Sequence, residues 1–344
     1  MSAPAGYVRD IAAEGAIRLD LNEAPREAGA ALRQALLERL AARPFNRYPE
    51  VDAMGARRAA AELYGWQPAG TLVGNGSNEL LAAAVRALLP AGGTMLTLHP
   101  SFSMYPVLAA RQGVRLATAE LVPPRFVVDP GGLLAQAGEA DLVVLCSPNN
   151  PTGGELEPAV FEAVLELGRP TIWDAAYLEL SGADPRSWLA RFSNLLVLRS
   201  FSKAWGMAGL RVGALLTSPE LARRVEGELL PFGTSWHVEA AFQAALDCRE
   251  EGAWLVAELV AERERVRAAL GQVARVEVAP SAANFLLLRV AGMSGSGLAE
   301  AVARRGVAVR RIGELDAGGW VRATIGSRAE NEVLVSMLRE VANG

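Results

Sequence analysis

Between residues 71 and 217 the chain alternates short apolar runs with helix-like stretches. The runs are Thr71–Val73, Thr94–Leu98, Val114–Ala117, Asp141–Cys146, Thr171–Trp173, Leu195–Leu198 and Arg211–Thr217. Asn78–Leu89, Ser103–Gln112 and Pro158–Leu167 read as helices lying between several of them. Strands buried on both faces lose the in–out alternation and become continuous apolar runs. The pattern therefore predicts a mostly parallel, seven-stranded sheet between helices. A short glycine-bearing segment joins the last two runs, which predicts one antiparallel edge strand.

Further on, Glu239–Leu270 reads as one helical region or two, rich in Ala, Glu and Arg. After it, apolar runs at 273–278, 284–290, 307–310 and 320–325 interleave with helical stretches at 297–305 and 330–341, which predicts a smaller α+β unit. The expected division is a large domain at 45–245 and a small one built from 1–44 and 246–344. The Gly-Met-Ser-Gly-Ser-Gly stretch at 292–297 is read as a loop inside the small unit.

Composition narrows the function classes. Hydrophobic residues make up 51% and charged residues 21%, as in an ordinary globular protein. A net charge of −4 gives no electrostatic case for nucleic acid or an anionic membrane. No apolar run approaches membrane-spanning length, and Met1–Asn22 lacks the pattern of a secretion signal. Two distant cysteines, Cys146 and Cys248, and two histidines argue against a disulfide scaffold and against a metal site. A cytoplasmic location is expected.

The chemistry begins with lysine. Lys203 is the single lysine among 34 basic residues, the rest being arginine. Arginine replaces lysine as a surface charge, but its guanidinium stays protonated and cannot act as an amine nucleophile. A lysine retained alone suggests a Schiff base to a carbonyl, against the alternative of a leftover surface residue. Ser200 lies three residues before it and Arg211 eight after, and hydroxyl, amine and guanidinium together suit a phosphate-bearing aldehyde. Gly74-Asn-Gly-Ser-Asn78 follows the first apolar run and opens a helix, either as an anion-binding turn or as a plain cap. Ser147-Pro-Asn-Asn-Pro-Thr-Gly153 is rigidified by two prolines and a glycine, either to hold Asn150 in place for a ligand or as a plain turn. Asp174 ends a strand, where it either caps a helix or meets a cation such as a protonated pyridine nitrogen.

Taken together, these motifs resemble the class I/II aminotransferases of pyridoxal-phosphate (PLP) fold type I, over roughly Leu19 to Leu338. Within that family they look most like the histidinol-phosphate aminotransferases. Leu19-Asp-Leu-Asn-Glu23, Arg47-Tyr-Pro-Glu50, Arg199-Ser-Phe-Ser-Lys203, Val309-Arg310 and the stretch from Val321 to Asn331 carry the match. The resemblance implies that Lys203 bonds the cofactor, that Asp174 pairs with its ring nitrogen, and that Asn150 and Tyr177 hydrogen-bond its phenolic oxygen. Gly76, Ser77, Asn78, Ser200, Ser202 and Arg211 would surround the phosphate, and Phe102 would stack on the ring. Tyr48 would reach the phosphate from a partner subunit of a homodimer. Arg322 would clamp the substrate carboxylate, with Arg310 and Arg26 also on the substrate side. A ping-pong transamination of L-histidinol phosphate with 2-oxoglutarate is the expected activity.

The match departs from the family pattern on the substrate side. Arg26 stands where an aromatic is usual, and is either a phosphate ligand or a solvated first-turn residue. The family's Asp-Glu-Ala-Tyr is here Asp174-Ala-Ala-Tyr177, and Gly233-Thr-Ser-Trp-His-Val238 replaces an Asn-containing form. The alternatives are an aminotransferase for another amino acid, aromatic or otherwise, and a lyase resembling threonine-phosphate decarboxylase.

Overall fold

The computed structural model describes residues 14–343, so that 1–13 of the expected small domain lie outside the described residues. The strands are β1 (Ile17–Leu19), β2 (Thr71–Gly74), β3 (Thr94–His99), β4 (Arg115–Val122), β5 (Val127–Val128), β6 (Leu142–Cys146), β7 (Thr171–Asp174), β8 (Leu195–Ser200), β9 (Gly213–Thr217), β10 (Val276–Val278), β11 (Phe285–Val290), β12 (Val307–Arg311) and β13 (Trp320–Thr324). They form an eight-stranded sheet in the order β2-β9-β8-β7-β6-β3-β4-β5 and a five-stranded sheet in the order β1-β12-β13-β11-β10. The seven apolar runs of the sequence are β2, β3, β4, β6, β7, β8 and β9. The eighth strand, β5, is a two-residue hairpin return on β4.

Every residue of β6, β8 and β9 is buried. Along β6 the side chains alternate between two cores. Val143 and Leu145 pack on the side of Phe161 and Val164 from the helix Pro158–Glu166. Leu142 and Val144 pack on the side of Leu81, Val85 and Leu88 from the helix Ser77–Leu88. Two-fold alternation with both faces apolar is the physical reason these segments read as unbroken apolar runs.

One expectation needs correction. Of the seven expected strands the antiparallel one is β9, but it lies between β2 and β8, and the antiparallel strand at the edge is the short β5. The placement of β9 aligns the ends that matter. Ser200 at the end of β8 sits opposite Gly213 at the start of β9, and Gly213 sits opposite Gly74 at the end of β2. Next along the sheet, Asp174 pairs in register with Leu198 and Cys146. The carboxyl ends of β2, β6, β7 and β8 therefore share one edge, where open α/β sheets form their crevice.

The region Glu239–Leu270 is two helices, Trp236–Asp247 and Arg249–Leu270, separated at Cys248. The longer one lies over the small sheet, with Leu259, Val266 and Leu270 in one core with Phe285, Leu288 and Val321. The helix Ala30–Ala41 instead shares a core with Trp236–Asp247 through Leu32, Leu36, Val238 and Ala241. The Gly-rich stretch expected as a loop is one only at 292–294, and from Gly295 it is the first turn of the helix Gly295–Ala303, capped by the Ser294 side chain.

Candidate active site

A cleft of about 260 Å³ opens at the shared strand edge, between the two sheets. Lys203 is at its floor, in the loop after β8. Its Nζ donates to the carbonyls of Leu21 at 3.2 Å and Asn22 at 3.0 Å. Burial and the nearby Arg322 cation, with Arg211 adding to them and Glu23 opposing, bring this amine down to about 7. An amine with that proton affinity is available as a nucleophile near neutral pH.

Asp174, at the end of β7, is 6% exposed. Burial raises its carboxyl above the usual range, while the Tyr105 hydroxyl, donating at 2.8 Å, and the Ala176 N–H at 3.4 Å pull the other way. A cation facing the same carboxylate would complete its ionisation. Tyr177 follows in the next turn and packs edge-on against Phe285, with ring centroids 5.3 Å apart. Its oxygen accepts from Asn22 Nδ2 at 2.9 Å.

At the end of β6 the rigid turn is braced by Asn149. Its Nδ2 donates to Pro100 O at 3.0 Å and to Thr152 Oγ1 at 2.9 Å, and its Oδ1 accepts from Ser101 Oγ at 2.7 Å. Asn150 faces the cleft, and its Oδ1 accepts from Arg322 Nη1. Arg322 comes from β13 and also donates to Asp20 O at 2.7 Å. Arg310 on β12 is its directly paired neighbour, so both arginines project from one face of the small sheet.

The remaining expected residues gather round the start of the helix Ser77–Leu88. Ser77, Asn78, Ser200, Ser202 and Arg211 line the cleft there, and Phe102 forms a side wall. Arg211 donates to Ser202 Oγ at 3.2 Å, and Ser202 N donates to Ser200 Oγ at 3.2 Å. Arg211 takes a left-handed backbone at φ 53°, a conformation that non-glycine residues adopt at cost and that clusters at functional sites. Gly76 has φ +90°, and a Cβ there would fall 2.4 Å from Arg211 Nη2. Hydroxyls, a guanidinium and a helix N-terminus gathered at one end of the cleft suit a phosphate group. The donor set as a whole fits a phosphate-bearing pyridine aldehyde: amine for carbonyl, buried carboxylate for ring nitrogen, phosphate nest at the far end.

Arg310, though paired with Arg322, is not among the residues lining the cleft, and two further expected residues lie elsewhere in this chain. Tyr48 is 80% exposed and rests against Phe232, with ring centroids 5.1 Å apart. Arg26 is ion-paired with Glu258, and its guanidinium stands 5.4 Å from the Trp254 ring centroid, on the exposed surface. Two neighbours of the site escaped the sequence reading. Tyr105 touches Asp174 across 69 positions, and Asn22 touches Tyr177 across 155. Asn22 sits inside the motif Leu19-Asp-Leu-Asn-Glu23, so its place was marked there although its partner was not.

A strand-edge cleft that assembles a lone amine, a buried carboxylate and a cluster of hydroxyls with a guanidinium has the donor set for chemistry through a bound carbonyl. The family model described as "Aminotransferase class I and II" matches residues 14–338, and the chain belongs to that family. The histidinol-phosphate aminotransferase of Thermococcus gammatolerans is 37% identical over 329 residues, covering 95% of this chain and 92% of that protein. The structure of the histidinol-phosphate aminotransferase from Clostridium acetobutylicum has the same fold, with a TM-score of 0.87 at 23% identity, covering 95% of this chain and 99% of that one. That from Sinorhizobium meliloti, solved in complex with pyridoxal-5'-phosphate, gives a TM-score of 0.84 at 27% identity, covering 95% and 91% of the two chains. Among the described residues no helix is long and apolar enough to cross a membrane, and no cluster of side chains could hold a metal ion.

Proposed function

We propose that this enzyme is a PLP-dependent aminotransferase exchanging the amino group of L-histidinol phosphate with 2-oxoglutarate. The observation that carries the substrate assignment is the 37% identity to a histidinol-phosphate aminotransferase across 95% of the chain. The two arginines paired across β12 and β13 support it, because both substrates bring an anionic group to that face. PLP supplies, when bound, the aldehyde for amine exchange and a ring that accepts electrons as the substrate loses its α-proton.

The chain's own groups do the rest. Lys203 would offer a neutral amine to the cofactor carbonyl and would serve as the base that moves the substrate's α-proton. Asp174 keeps a proton on the ring nitrogen. Asn150 and Tyr177 donate to the phenolic oxygen. Gly76, Ser77, Asn78, Ser200, Ser202 and Arg211 hold the phosphate, and Phe102 covers the ring. Arg322 binds the carboxylate of glutamate and, with Arg310, the phosphate of the other substrate. Arg26 has no part in this reading, since its pairing with Glu258 turns it from the cleft.

The large unit is assigned to 45–245 and the small one to the flanking segments, one sheet in each, except that the helix Ala30–Ala41 packs in the large unit's core beside Val73, Phe201 and Ala214. The active form is a homodimer in which Tyr48 reaches the phosphate of the neighbouring subunit. Its exposure and its absence from the residues lining its own cleft support that role.

Single-turnover absorbance tests the assignment. Histidinol phosphate and glutamate, mixed separately with the holoenzyme, should each convert the bound cofactor to its amine form, and the Lys203→Arg variant should do neither. Conversion by glutamate alone would keep the aminotransferase and reject its named substrate.

A further inference from the structure

We propose that Asn22 is a positioning residue that fixes the Tyr177 hydroxyl as a hydrogen-bond donor into the cleft. The inference rests on the reading of Tyr177 as a cofactor ligand and adds a residue to it.

A tyrosine hydroxyl has one proton and can accept as well as donate, so its direction is set by its neighbours. Asn22 Nδ2 donates to the Tyr177 oxygen at 2.9 Å, and an amide nitrogen cannot accept in return. The tyrosine proton is left for the other side, which is the cleft that Tyr177 lines.

The amide is itself oriented. The backbone N–H of Asn22, an obligate donor, bonds Thr324 Oγ1 at 2.9 Å. The Thr324 hydroxyl returns its own proton to Asn22 Oδ1 at 3.2 Å, which points Nδ2 at Tyr177. The run of donors therefore starts at a group that cannot reverse, passes through β13, and ends at the cleft. On the opposite wall Arg322 pins Asn150 Oδ1 in the same sense, leaving the Asn150 amide nitrogen as donor.

The surroundings hold Asn22 firmly. It is 1% exposed and left-handed at φ 55°, a region asparagine tolerates better than most residues. Its carbonyl accepts from Lys203 Nζ and Asn284 Nδ2, both at 3.0 Å. One residue thus connects the lysine loop, the turn after β7 and two segments of the small sheet. A buried asparagine with its amide and carbonyl both used is expensive to misplace, because each lost bond strands a buried polar atom.

The test is a double-mutant cycle read by absorbance. Asn22→Gly keeps the left-handed backbone and the carbonyl and removes the amide. A donor at the cofactor's phenolic oxygen stabilises negative charge there and weakens the hold on the neighbouring proton, so losing it raises the pH midpoint of the visible band. PLP-reconstituted Asn22→Gly should show that midpoint raised by about half to one pH unit. Tyr177→Phe should raise it at least as far, and the double variant no further than Tyr177→Phe alone.

Shifts that add in the double variant would overturn the inference, as would an unmoved midpoint in Asn22→Gly beside a raised one in Tyr177→Phe. An unmoved midpoint in Tyr177→Phe would remove Tyr177 from the cofactor and take the inference with it. Should Asn22→Gly fail to fold, Thr324→Val, isosteric and suited to a strand, removes the orienting hydroxyl. It should raise the midpoint in the wild-type background and leave it unmoved in the Tyr177→Phe background. Any other result overturns the proposal.

Discussion

Lys203 owes its chemistry to three charged neighbours and to the loss of water around it. Burial and the Arg322 and Arg211 cations outweigh Glu23 and bring its amine to about 7. The sign is direct: below that pH the amine is protonated and inert, and above it the nucleophile is fully present. Capture of PLP by the apoenzyme should therefore accelerate as pH rises to about 7 and then level off. An ordinary lysine would keep gaining to about pH 10. Rapid-mixing absorbance across that range decides it, and a continued rise well above 8 would contradict the assignment. Arg322→Ala should raise the glutamate concentration needed for half-maximal rate at least about tenfold, from loss of a charge-assisted pair, while cofactor retention changes little. The same substitution should move the Lys203 midpoint upward, because it removes a like charge. Lys203 was legible because it is the single lysine. The direction of Arg26 was not, since the Glu258 and Trp254 that turn it away belong to a helix more than 200 positions later.

At the scale of elements, legibility followed burial. Strands covered on both faces stood out as apolar runs, and all seven were found. β1 and β5 are three and two residues long, too short for any periodicity to register. Strand order was out of reach for another reason. The reversal at β9 is carried by a close approach, in which Gly213 lies against the turn that opens the phosphate-side helix. A Cβ at Gly213 would fall 2.4 Å from Ser77 N and 2.6 Å from Gly76 C, both of them backbone atoms that cannot swing aside. Gly213→Ala should cost about 1–3 kcal/mol of stability, the usual scale of overpacking. It should also weaken PLP binding, because the clash displaces the helix start itself. Chemical denaturation and a cofactor titration check the two effects, and a variant with wild-type values in both would deny the close approach.

The whole molecule is read as a pair of chains. Tyr48 has its own ring neighbour, Phe232, and is not among the residues lining its own cleft, so the proposed service to a cofactor is to that of another subunit. Tyr48→Phe alone should lower cofactor affinity. In a hybrid of one Lys203→Arg chain and one Tyr48→Phe chain, the site that keeps Lys203 receives an intact Tyr48 from its partner. That site should bind PLP with wild-type affinity; retention of the Tyr48→Phe affinity there would place the tyrosine in its own subunit's site.

The scarcity of lysine has a further consequence. A protease that cuts only after lysine finds one bond in 344 residues, that between Lys203 and Ala204. In the native fold Ala204 is buried, and the lysine side chain lies under the carbonyls of Leu21 and Asn22. Clipping into two fragments of 203 and 141 residues therefore proceeds from molecules whose cleft has opened. The enzyme thus carries a built-in gauge of its own breathing, in which the rate of a single cut reports the free energy of opening the site.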